Sequence, residues 1–290
     1  IMCGAKTKLG ALTTREQREQ YSKRFMREVS AKHERRAKAR VEKWLDAYYR
    51  ETLKRIRKFA RTGELPTKAQ LKVDKDIAPV DPIKDALLPS DTKFLELLRT
   101  ALKIPLEAGY SAALADQAAE LGSVAVSTTD ARVLMAFDKQ LTKVVEGVHS
   151  TTAQRVRDAI AQEITGDVTT FVELRARIED VLPELEGSLK SVFSSKGARA
   201  ATIARTEMGK ASNTARDIQI RSDGETQTQW ITDRDDDVRD SHQQLDGEIR
   251  VIGQDFAPNL AHPHDDRAPA EEVINCRCLV LAIVEDETND

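Results

Sequence analysis

At 290 residues the chain is long enough for two domains, and a composition of 40% hydrophobic, 32% charged and only 4% aromatic residues suits packed helices better than an aromatic-rich β-sandwich. No run approaches the ~18 consecutive apolar residues of a membrane span, and the start Ile1-Met2-Cys3-Gly4-Ala5-Lys6 has no apolar core ahead of a small-residue cleavage site. A non-secreted protein made in a reducing cytoplasm, with no membrane partner, is expected, and three sparse cysteines do not form the framework of a small disulfide-rich domain.

The net charge of -3 hides an asymmetry: residues 1–61 carry 19 Lys+Arg against 7 Asp+Glu, whereas residues 223–290 carry 5 against 18. That balance argues against nucleic-acid binding by the C-terminal end and leaves the N-terminal end as the place for phosphate contact.

From Arg15 to Arg61 there is no Gly or Pro, and Val41, Leu45, Tyr49, Leu53, Ile56 and Phe59 recur at steps of three and four, so a long amphipathic helix is expected, ended by Gly63 and Pro66. Its first half has only a thin apolar stripe, Phe25 and Val29, and is expected to project from the body or lie on a partner. Residues 1–65 therefore read as a basic helical arm, and 66–91, with Pro79, Pro82 and Pro89, as a connector. A helical bundle is expected over 92–197. It begins near Asp91 with Phe94, Leu97, Leu98, Ala101 and Leu102, breaks at Pro105, resumes from Tyr110 to Leu121, and continues after a Thr129 cap with Val133, Leu134, Phe137, Leu141, Val144 and Val148. Two shorter helices follow around Thr165-Gly166-Asp167.

The segment 198–284 reads as a module of a helix, Ala200 to Arg221, packed on a small antiparallel sheet formed by Gln227–Ile231, alternating around Trp230, then 248–252 and 278–284. Residues 285–290 are an acidic tail. The fold class is thus α+β, predominantly α.

Three groups in the module could carry chemistry. Arg205-Thr206-Glu207 offers an Arg and a Glu that either satisfy each other structurally or serve as an active-site pair. Asp233-Arg234-Asp235-Asp236-Asp237 lacks the alternating ligands and terminal Glu of a calcium loop and reads as a solvated turn, while Asp246-Gly247 reads as a β-turn into a strand. His242, His262, His264, Cys276 and Cys278 hold three of the five histidines and two of the three cysteines. Residues i and i+2 of a strand share a face, so both sulfurs could reach one structural zinc ion; the alternative is that two small thiols fill a sheet core. There is no Gly-x-Ser-x-Gly elbow, phosphate-binding Gly-rich loop or His-Glu-x-x-His, so no catalytic residue is assigned.

Read in order, Ala204-Arg205-Thr206-Glu207, Asn213, Arg216, Trp230, Asp237-Val238-Arg239, His242, Leu245-Asp246-Gly247, Phe256 and Ala270 to Asn275-Cys276-Arg277-Cys278 resemble the phage head morphogenesis family, the Mu F-like minor head proteins of tailed bacteriophages. The pattern departs at His262-Pro263-His264-Asp265-Asp266, where relatives more often carry an aromatic-Pro-Gly-Asp-like turn, and the candidate ligands narrow to His242, Cys276 and Cys278. The resemblance implies a minor capsid protein of the virion head, assembled in the host cytoplasm near the portal vertex. The implied partners are the portal protein, the major capsid or scaffold protein, and genomic double-stranded DNA, the last reached through Lys23, Arg24, Arg27, Lys32, Arg35, Arg36, Lys38 and Arg40. Two other classes compete: a nucleotide-transferase or nuclease using Arg205 and Glu207, and a free DNA-binding protein.

Overall fold

A computed structural model describes residues 14–64, 87–89, 91–164, 168 and 170–284, so most of the connector and the acidic tail lie outside the described residues. Helix α1 (Arg15–Phe25) starts on a capping box, in which Thr14 Oγ1 accepts from the Gln17 N–H at 3.2 Å and the Gln17 side chain accepts from the Thr14 N–H at 3.3 Å. A five-residue π-helical turn (Met26–Ser30) links it to α2 (Ala31–Thr62), and Gly63, at φ +68°, ends α2 in the left-handed region.

Next come α3 (Asp91–Leu121) and α4 (Ala131–Glu163), then α5 (Phe171–Asp180), α6 (Leu182–Ser194) and α7 (Lys196–Ser222). Pro105 does not break α3, which runs through it as one helix; the ring removes a donor, but the helix on either side is long enough to carry the defect. Asp130 rather than Thr129 caps α4, its carboxylate accepting from the Arg132 N–H at 2.8 Å, and α4 continues unbroken past Thr151 to Glu163.

The chain forms two compact units that interleave along the sequence. One comprises residues 39–102 and 142–200, and its described elements are all helices. Its core gathers Val41, Leu45, Ile56, Phe59, Leu98 and Leu102 around an aromatic cluster in which Tyr48 meets Phe94 at a centroid distance of 5.2 Å and Trp44 Nε1 donates to the Phe94 carbonyl at 2.9 Å. Leu97 and Leu134, counted among the expected apolar faces, are instead 46% and 51% exposed.

The other unit comprises residues 14–38, 103–141 and 201–284 of the described chain. Its sheet has the order β2-β1-β3, antiparallel throughout, with β1 (Gln227–Ile231) central, β2 (Ile249–Val251) on one edge and β3 (Leu279–Ile283) on the other. Trp230 pairs with Val280, and Gln229 with Leu281 on one side and Ile249 on the other. Both faces are covered: Val280 and Ala282 pack with Leu121 and Ile220, while Leu279 and Leu281 pack with Ile231 and Met26. Strand β1 is therefore buried over Thr228–Ile231 without the polar alternation expected around Trp230.

The first half of the N-terminal helix does not project from the body. Arg18, Ser22 and Phe25 are buried, and Arg18 Nη2 donates to the Ala282 carbonyl of β3 at 3.3 Å. Its apolar stripe is thin because the buried face is polar and neutralised by partners. Arg216 of α7, fully buried, donates to Asp116 at 2.9 Å and Glu120 at 3.0 Å on α3 and to Ser22 Oγ on α1. Burial raises the Asp116 carboxyl to about 6, against the pull of Arg216, and raises Glu120 as well.

Candidate metal centre

The tail motifs meet through α7. Arg205, Thr206 and Glu207 follow one another on this helix and so face different neighbours. Arg205 reaches Glu34 at 3.4 Å, Thr206 Oγ1 accepts from the Asn275 N–H at 3.0 Å, and Glu207 accepts from Gln140 Nε2 at 2.9 Å. Arg205 and Glu207 are not brought together, so they form neither a mutual ion pair nor an acid/base pair. Two turns on, the Asn213 amide clamps the chain entering β3, donating to the Cys278 carbonyl and accepting from the Val280 N–H, each at 3.1 Å.

The acidic run is held by arginines. Arg277 reaches Asp235 at 2.6 Å, Asp237 at 3.3 Å and Asp233 at 3.6 Å, and Arg27 reaches Asp233 at 3.5 Å. Asp246 accepts from the Thr232 N–H at 2.8 Å and from Arg234 at 2.6 Å, and Gly247, at φ +86°, takes the turn beside it. Arg239 donates to the Ile274 carbonyl, ahead of Asn275 at φ +61°. Trp230 and Phe256 belong with Leu245 and Leu260 to the apolar cluster that also contains Cys276 and Cys278.

Among the described residues, His242, Cys276 and Cys278 are the one group whose donor atoms converge as metal ligands can, within 4.8 Å of one another. Short helix α8 (Asp240–Gln243) carries His242, and the two cysteines lie between short helix α9 (Ala270–Val273) and β3. His242 Nδ1 stands 3.6 Å from Cys276 Sγ and 3.4 Å from Cys278 Sγ, and the Cys278 N–H donates to Cys276 Sγ at 3.4 Å. The other ring nitrogen of His242 lies 2.9 Å from the Glu272 carboxylate, off the line of a regular hydrogen bond, and Ser241 Oγ donates to the same carboxylate at 3.0 Å.

A hydrogen bond from Cys278 holds Cys276 well below the usual thiol range, with His264 and His242 adding to the effect, while the same bond and burial push Cys278 upward. His262 is turned away, its Nδ1 lying 2.9 Å from the Pro263 carbonyl. His264 is buried with both ring nitrogens unpartnered, sits at φ +65°, and lies so close to α7 that a Cβ on Gly209 would collide with its ring.

Sequence reasoning missed Gly209 and Glu272 and set His264 aside. The signal for the first was available: a glycine inside an otherwise regular helix costs about 1 kcal/mol relative to alanine, which makes a close approach of another group the natural explanation. Glu272 carries no local signal, because its role depends on where α8 brings His242.

Residues 153–281 match the family described as phage Mu protein F like protein. Over this span, less than half of the chain, the sequence is similar to the phage Mu F-like head morphogenesis family. No curated protein and no solved structure matches it. The Mu F-like region begins well before the Ala204 motif and takes in the last turns of α4 together with α5 and α6, whose apolar spacing is too common among helices to identify them alone.

Proposed function

We propose that the protein is a minor head protein of a tailed bacteriophage that works in head morphogenesis at or near the portal vertex and resides in the virion head. The family match over residues 153–281 carries this reading. Among the described residues no helix is long and apolar enough to cross a membrane, which fits assembly in the host cytoplasm. The partners are the portal protein and the major capsid or scaffold protein.

The basic arm supports an additional contact with packaged DNA, through fewer residues than its composition suggests. Lys23 pairs with Glu19 at 2.8 Å, Arg24 with Glu28 at 3.2 Å and Arg27 with Asp233. Lys32, Arg35, Arg36 and Arg40 are exposed, and among the described residues they and the half-buried Lys38 form no ion pair. Cations of this kind are free to neutralise phosphate.

Quantitative mass spectrometry of intact heads tests the proposal: a few copies per particle are expected, and absence from particles overturns it. The DNA contact is tested by Lys32→Ala/Arg35→Ala/Arg36→Ala, which is expected to make the slope of log affinity against log salt shallower by about 3. An unchanged slope removes the arm from the DNA interface. These substitutions are sharper than deletion of the arm, which would strip Arg18, Ser22 and Phe25 from a packed core.

A further inference from the structure

We infer that His242, Cys276 and Cys278 bind zinc and that His264, whose ring nitrogens stand outside the trio already within 4.8 Å of one another, turns in as the fourth ligand, so that the bound ion fixes the loop carrying His264 and the entry to β3 against α7. The reading is independent of the protein's place in the virion.

Three observations carry it. The first is spacing: bonds of about 2.3 Å to sulfur and about 2.0–2.1 Å to nitrogen, at the tetrahedral angle, place N and S ligand atoms about 3.6 Å apart. His242 Nδ1 stands 3.6 and 3.4 Å from the two sulfurs, so this edge of the tetrahedron needs no rearrangement.

The second is the tautomer. A carboxylate can only accept, so Glu272 favours the proton on His242 Nε2 and leaves the Nδ1 lone pair facing two sulfurs. A lone pair so placed is presented as a metal ligand's is, and a carboxylate behind a histidine is the usual orienting partner of a metal ligand.

The third is His264. The imidazole is buried with neither nitrogen in a regular hydrogen bond, which costs stability, and it is held in a left-handed conformation that non-glycine residues seldom adopt. Its ring lies against Gly209, which lines one cleft together with Cys276. The bare Cα of Gly209 leaves the space it occupies.

The donor set selects the ion. Two thiolates and two imidazoles suit zinc and exclude the hard cations magnesium and calcium. Zn2+ with two thiolates and two neutral histidines has no net charge, which suits a centre walled by Trp230, Leu245, Phe256 and Leu260. Binding releases the thiol protons to solvent, and four protein ligands leave no open position, so the role is structural.

Metal analysis of the full chain purified from zinc-supplemented culture is expected to give one zinc per chain, and titration of the chelator-stripped chain with zinc is expected to restore it. No zinc by either route overturns the site. In competition with a chromophoric chelator, His264→Ala is expected to weaken zinc binding by at least about tenfold, while His262→Ala leaves it unchanged. Equal affinity of His264→Ala and wild type overturns the assignment of His264. Should His264→Ala fail to fold, X-ray absorption of the zinc-loaded wild type decides: a shell of two sulfurs with two imidazoles supports the site, and a shell with a single imidazole overturns it.

Discussion

Two buried polar clusters in the same unit solve the cost of burial differently. Around Arg216 the charges cancel within the protein, with Arg18 and Arg216 against Asp116 and Glu120 and with Ser22 bridging two of them. Around His242 two thiols converge on one imidazole, and neither nitrogen of the buried His264 makes a regular hydrogen bond. A cluster that is neutral in itself is a cross-brace between helices; a cluster of converging soft donors is the one proposed here to bind a cation.

The largest expected effect breaks the first cluster. Arg216→Met leaves two carboxylates buried without their main countercharge and is expected to cost about 3–5 kcal/mol at pH 7 in urea unfolding. A loss below about 1 kcal/mol would show that the two acids are already protonated and that the brace is not ionic.

The second effect is pH dependent. The folded-state value of Asp116, about 6, lies above its ordinary value of 3.8, so the folded chain binds this proton more tightly than the unfolded chain. Its stabilising contribution is fully present below about pH 4 and is lost as pH rises through about 6, amounting to about 3 kcal/mol at most. The stability of wild type relative to Asp116→Asn is therefore expected to fall between pH 4 and 7. Unfolding curves across that range check it, and a rise would reverse the balance between burial and Arg216.

On the other side of the comparison, Asn213→Ala leaves the Cys278 carbonyl and the Val280 N–H without their side-chain partner and is expected to cost about 1–3 kcal/mol. Zinc affinity measured on the same variant would report whether the clamp on β3 also sets the cysteine geometry.

The smallest effect is the most diagnostic. Gly209→Ala in a free helix would gain about 1 kcal/mol, but here the methyl displaces His264, so a net change near zero together with weakened zinc binding is expected. A full gain with zinc affinity intact would show that the ring moves aside freely.

Much of the architecture was legible because it rests on local rules. The uninterrupted helical pattern after Arg15, the glycine ending it at Gly63, the three strand segments and the order of motifs from Arg205 to Cys278 follow from spacing, capping and turn chemistry. His242, Cys276 and Cys278 could also be named, since residue type alone marks them as ligands. The buried role of α1 was not legible, because a helix that buries Arg18 and Ser22 has the apolar pattern of a solvated one until Arg216, Asp116 and Glu120 are brought to it.

The same holds for the three positions that favour the proposed metal centre over packed thiols. Helix α7 supplies Gly209, the turn before α9 supplies His264, and α9 supplies Glu272, from segments up to 63 residues apart. By itself the sequence determined most of the helical pattern, the strand segments and the family resemblance, because those depend on periodicity and on residues close along the chain. Only the tertiary structure decided which buried polar groups cancel one another and which converge without doing so, because partnership at 3–4 Å depends on long-range packing that no local pattern records.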